Sequence, residues 1–205
     1  DGRVVEVPPE RLFRDMHLLQ VDDFGDFEAY PNRDSLGYLE IYGLQGIRTL
    51  FRGTLRNMGW CDTLYRFRNA GLLEMDETDF GGRSYADVMR DQFKAGDGDL
   101  RAAAARVMDV PAESLPARNL EWLGAFSDRP VTANTMLDAM GDLMYEKLAF
   151  ARGERDMIVL FHDFTAEFPG GQRERITSRL IDFGIEGGDS SMSRTVSLPA
   201  AIGAH

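Results

Sequence analysis

Residues 157–183 read Met157-Ile-Val-Leu-Phe-His-Asp-Phe-Thr-Ala-Glu-Phe-Pro-Gly-Gly-Gln-Arg-Glu-Arg-Ile-Thr-Ser-Arg-Leu-Ile-Asp-Phe183. The first five are continuously apolar, as in a strand buried on both faces. Pro169-Gly170-Gly171 supplies a turn, and residues 173–183 return with alternating polarity, so 156–183 predicts an antiparallel hairpin. Upstream, residues 62–150 carry helical signals instead. Ser84 with Asp87 three positions on forms a capping box, residues 99–108 are rich in alanine, and Met136, Leu137, Met140, Leu143, Met144 and Leu148 make an apolar stripe behind Thr132 or Asn134. Further upstream the strand signals resume. The order predicts an α+β (α/β) fold in which 1–61 and 151–205 build one mixed sheet lobe and 62–150 is a helical insertion.

Within the first lobe, residues 17–30 predict strand structure ending in a loop at Pro31 to Ser35. A short helix over 36–42 follows, with Ser35 as its cap and Gly43 at its end. Residues 48–56, Arg-Thr-Leu-Phe-Arg-Gly-Thr-Leu-Arg, are β-branched and aromatic with an interior glycine, which favours a strand over a helix. Alternation then puts Arg52, Thr54 and Arg56 on one face and Phe51, Gly53 and Leu55 on the other. A helix capped by Asp62 or Thr63 runs to Asn69, and a last helix starts near Ser190 and contains Pro199.

The 205 residues carry a formal charge of −11, and no third of the chain is basic. A nucleic-acid surface needs clustered Lys and Arg, and an anionic membrane needs the same, so neither partner is expected. No apolar run approaches the ~18 residues that cross a bilayer. The single cysteine, Cys61, excludes an internal disulfide framework and fits a reducing, cytoplasmic setting. A start at Asp1 without an initiator Met reads as a piece of a longer protein.

Few side chains carry chemistry by spacing alone. His17, His162 and His205 are too scattered for a metal-ligand pattern. His162 and Asp163 are neighbours in a strand and point to opposite faces. Cys61 sits near a helix start, where a thiol pKa can fall, though a free cysteine is more often simply buried. Gly81-Gly82 and Gly187-Gly188 are turn signals, not the glycine pattern that opens a dinucleotide-binding helix. The arginines stand out. A guanidinium offers a planar fork of donors that matches a carboxylate and stays charged at physiological pH. Arg33, Arg52 and Arg56 with Thr54 therefore suit a ligand with several carboxylates; the competing assignment pairs them with the surrounding acids on a solvated surface.

Tyr30-Pro-Asn-Arg-Asp-Ser-Leu36, Arg52-Gly-Thr-Leu-Arg56, Glu121-Trp-Leu-Gly124, Gly153-Glu-Arg-Asp-Met-Ile158 with His162, and Thr195-Val-Ser-Leu-Pro199 follow one another along nearly the whole chain. Together they resemble the C-terminal catalytic region of the saccharopine dehydrogenases of the NADP-dependent, glutamate-forming type. The resemblance implies a homodimeric oxidoreductase of lysine metabolism that interconverts saccharopine with glutamate and aminoadipate semialdehyde, by hydride transfer at a C–N bond. It implies that NADP is held mainly by a Rossmann domain N-terminal to this stretch. It assigns Arg33, Thr54, Leu55 and Arg56 to substrate binding, with Asn32 and Arg52 as supporting residues and no catalytic residue identified. Asn57-Met58 and Ser193-Arg-Thr-Val-Ser197 depart from the family pattern, which keeps open a related dehydrogenase acting on polyamine-type imines. A dimerisation module without chemistry is the alternative of a different class.

Overall fold

The computed structural model describes residues 2–204, and its contacts divide the chain into two compact units, 1–147 and 148–205. The first unit opens with a three-stranded antiparallel sheet in the order β1 (His17–Val21), β2 (Gly25–Pro31), β3 (Gly53–Asn57). The residues expected to form strand structure over 17–30 are thus two strands. They turn at Asp22-Asp23-Phe24, where Asp23 adopts φ 70° and Gly25 φ 93°. Aspartate is one of the few side chains that tolerate this left-handed region. The short helix α1 (Gly37–Ile41) lies between β2 and β3, and Asp34, not Ser35, accepts the Leu36 N–H at its start.

Five helices complete this unit: α2 (Trp60–Asn69), α3 (Tyr85–Gln92), α4 (Leu100–Val107), α5 (Leu115–Leu123) and α6 (Met136–Leu148), whose last residue lies across the boundary. Their apolar faces close on one core in which Phe67, Leu72, Met89, Ala104, Leu120 and Met140 are wholly removed from solvent. The Ser84 capping box is present: the hydroxyl accepts from Asp87 N–H at 3.1 Å and donates to the Asp87 carboxylate at 2.7 Å. Helix α6 starts behind Thr135 rather than Thr132 or Asn134.

The second unit is the hairpin β4 (Met157–Glu167) with β5 (Arg173–Phe183), followed by α7 (Ser191–Gly203). The predicted hairpin and its Pro-Gly-Gly turn are observed, and the α and β content is mixed as expected. The single sheet drawn from both ends of the chain is not: strands β1–β3 and strands β4–β5 form separate sheets. A five-residue connection makes the local β4–β5 pairing the one with least loop-closure cost, and each of the eleven residues of β4 finds its partner on β5. The apolar run 157–161 is also not buried on both faces; Leu160 is 48% exposed, and Phe164 on the same face is 54% exposed.

Candidate functional site

Strand pairing assembles the site. β2 and β3 run antiparallel with Glu28 opposite Arg56 and Tyr30 opposite Thr54, so these four side chains share one face of the sheet. Asn32 and Arg52 continue the same alternation just beyond the ladder, where the Asn32 N–H donates to the Arg52 carbonyl at 3.0 Å. Thr54 and Arg56 are therefore about 6–7 Å apart along β3, and the Arg52 and Arg56 positions about 13 Å. Leu55, paired with Ala29, directs its side chain to the opposite face, and only its backbone belongs to this surface.

Each arginine is held differently. Arg33 follows Asn32 directly and adopts φ 52°, a left-handed conformation uncommon for a non-glycine residue and of the kind that collects at functional sites. The Arg52 guanidinium lies over the Tyr38 ring of α1, 4.3 Å from its centroid. The Arg56 guanidinium lies 5.4 Å from the Trp60 ring centroid, and its Nη1–H donates to the Leu55 carbonyl at 3.1 Å. Aromatic faces attract a guanidinium without neutralising it. Among the described residues no carboxylate forms an ion pair with Arg33, Arg52 or Arg56, although the chain holds 34 acids against 23 bases. Elsewhere Arg11, Arg66, Arg83, Arg101, Arg129 and Arg175 each pair with an acid. The ion pairs that the solvated-surface alternative expects are absent at these three arginines among the described residues. Arg52 and Arg56, about 13 Å apart and without ion-pair partners, suit a ligand whose anionic groups are spaced along a chain of atoms.

Glu28 is the residue that inspection of the sequence did not single out. It is only 3% exposed. Its Oε1 accepts from Gly59 N–H at 2.8 Å and its Oε2 from Cys61 N–H at 2.7 Å, so a strand carboxylate closes the N-terminus of α2 in place of Asp62 or Thr63. Burial pushes the Cys61 thiol up to about 12, and the Glu28 hydrogen bond and charge push the same way, while Arg56 opposes them weakly. This environment disfavours the thiolate, the form in which a cysteine attacks. In the second unit the Asp163 carboxylate takes both donors of Arg175, at 2.9 and 2.8 Å, and His162 turns its ring toward Phe164, so the two neighbours form no dyad. His205 lies outside the described residues.

A dinucleotide would need a glycine-rich passage from strand to helix with free helical N–H groups. The β5–α7 passage has Gly184, Gly187 and Gly188, but Asp156 accepts from Ser191 N–H and Met192 N–H, both at 2.7 Å, and Ser190 Oγ accepts from Ser193 N–H at 3.0 Å. With Asp182 also bound to Ser191 Oγ at 2.6 Å, this helix start is filled and acidic. This passage therefore does not offer the free helical N–H groups that a dinucleotide phosphate needs.

The sequence matches the family model for the saccharopine dehydrogenase C-terminal domain over residues 1–205. It is 34% identical to the mitochondrial alpha-aminoadipic semialdehyde synthase of Bos taurus over 87% of this chain and 20% of that protein. It is 31% identical to the NADP(+), L-glutamate-forming saccharopine dehydrogenase of Saccharomyces cerevisiae, over 98% of this chain and 47% of that one. The solved apo structure of the histidine-tagged L-Glu-forming saccharopine dehydrogenase from S. cerevisiae superimposes with a TM-score of 0.88 at 29% identity, covering all of this chain and 48% of that one. The chain thus spans about half the length, or less, of the relatives it matches.

Proposed function

Because the chain belongs to the saccharopine dehydrogenase C-terminal domain family, we propose that it supplies the substrate-binding face of an oxidoreductase of lysine metabolism that acts on saccharopine. The observation that carries this is that Arg56 on β3 and Arg52 just before it lie against aromatic rings without forming an ion pair among the described residues, with Thr54 between them on the same face. Saccharopine has three carboxylates around a secondary amine. Arg33 and Arg56 take carboxylates through their forked donors, the Thr54 hydroxyl and the Leu55 backbone add hydrogen bonds, and Arg52 and Asn32 hold the end of the sheet on which Arg33 stands. Fixing the carboxylates orients the C–N carbon, which is catalysis by positioning and charge complementarity. NADP(H), the hydride carrier named for the yeast relatives, is assigned to a Rossmann domain elsewhere in the protein. A diamine-derived imine carries extra positive charge and meets repulsion on this face, which favours the saccharopine assignment over the polyamine type. The homodimer and the cytoplasmic setting belong to the same proposal, although the bovine relative's name places that protein in mitochondria.

Steady-state kinetics of the whole enzyme test it. Arg33→Ala and Arg56→Ala should each weaken productive saccharopine binding by about 2–5 kcal/mol with NADP affinity nearly unchanged, the usual range for removing one partner of a desolvated charge pair. Arg33→Lys should restore little, since the ammonium keeps the charge and loses the fork. Unchanged saccharopine affinity in both alanine variants would overturn the assignment.

A further inference from the structure

We infer that Glu28 is the positioning residue for Arg56: its carboxylate is committed to the start of α2, which leaves the guanidinium fixed by its neighbours yet without an ion-pair partner among the described residues. This rests on Arg56 being a donor to the substrate carboxylates. Glu28 and Arg56 stand directly opposite on neighbouring strands, where side chains of opposite charge normally pair. They form no ion pair here. Both Glu28 oxygens instead accept backbone N–H groups from α2, those of Gly59 and Cys61, and the residue between these two anchors is Trp60.

The consequence is geometric. Pinning residues 59 and 61 to β2 fixes where Trp60 leaves the backbone, and the Trp60 ring is the surface on which the Arg56 guanidinium lies. Gly59 makes the turn possible: it adopts φ 90°, and only Met58 and Gly59 separate β3 from α2. Trp60 Nε1 is buried without a hydrogen-bond partner, so the ring's own polar group does not dictate its place. The Leu55 carbonyl adds the second restraint on Arg56. An Arg56 paired with Glu28 would hold an internal carboxylate against which a substrate carboxylate must compete. Diverting Glu28 to the helix removes that competitor and keeps the same residue as the anchor of the platform.

The test uses the whole enzyme, with KM for saccharopine, KM for NADP and the thermal midpoint measured for Glu28→Gln, Trp60→Leu, Arg56→Ala and the Glu28→Gln/Arg56→Ala double variant. Glu28→Gln should raise the saccharopine KM about tenfold or more and move the NADP KM by less than about twofold. In the Arg56→Ala background the same substitution should add less than about twofold, since no guanidinium remains to be placed. Trp60→Leu keeps the Glu28 cap, and should raise the saccharopine KM by a similar factor even if Glu28→Gln fails to fold. The inference is overturned if folded Glu28→Gln lowers the thermal midpoint and leaves the saccharopine KM unchanged, if its effect on KM persists undiminished without Arg56, or if Trp60→Leu leaves KM unchanged. An unchanged saccharopine KM in Arg56→Ala alone overturns the carboxylate-clamp assignment itself, whatever Glu28→Gln does.

Discussion

Cys61 occupies the first turn of α2, where a helix N-terminus ordinarily lowers a thiol pKa, yet burial and Glu28 push it up to about 12. The folded state therefore favours the protonated thiol. Its contribution to stability is complete below the unfolded thiol pKa, near 8.5, and is lost as pH rises toward 12. The Tyr85 phenol, also raised by burial, acts in the same direction at higher pH. Thermal midpoints measured from about pH 8 to 11 should therefore fall, and should fall less steeply in Cys61→Ala. An equally steep decline in Cys61→Ala and in Tyr85→Phe would contradict this. At this scale the shared face of Arg52, Thr54 and Arg56 was legible as a candidate, because strand alternation needs no tertiary information. Glu28 was not legible. Its importance depends on a contact with Gly59, 31 positions away, and an acid in a chain with 34 of them carries no mark of that contact.

Helix starts show the same division between local and distant causes. The Ser84 box, the Asp99 cap of α4 and the Ser190 cap of α7 each lie within three residues of the N–H they satisfy; the sequence marks the Ser84 box and the Ser190 start, and marks α4 by its alanines without a cap. Helix α2 begins two residues before Asp62, because its cap comes from another strand. Ser84→Ala should lower the stability of the helical block by about 0.5–2 kcal/mol. Asp62→Ala should cost only a few tenths, the worth of its exposed i,i+4 pair with Arg66. Chemical denaturation of the two variants compares them, and equal losses would mean that Asp62 caps α2 after all. The β1–β2 turn escaped notice for a related reason: its left-handed residue is Asp23, inside an Asp-Asp-Phe-Gly run without proline or an Asn-Gly pair.

Across the whole molecule, the strand, helix, strand order gave the α+β class correctly and the sheet connectivity incorrectly. The same order serves one sheet closed through distant pairing or two sheets closed locally, and short turns at 22–24 and 168–172 favour the local solution in each unit. The second unit is fastened by acids: Asp156 on the N–H groups of Met192 and Ser191, Asp182 on Ser191 and Arg194, Asp163 on Arg175. These contacts hold all three carboxyls below their ordinary range, so their contribution is present above the unfolded carboxyl pKa of about 3.9 and is lost as pH falls through the folded values. Amide exchange in β4, β5 and α7 should therefore accelerate below about pH 4 relative to the intrinsic rate, and less so in Asp163→Asn, whose contact with Arg175 is already gone. A flat response would contradict it. The most direct measurement of the central claim is the structure of the whole enzyme with saccharopine bound. Guanidinium groups of Arg33 and Arg56 within about 2.7–2.9 Å of two different substrate carboxylates are the expected result. Saccharopine bound away from β2 and β3, with both guanidinium groups facing solvent, would contradict it.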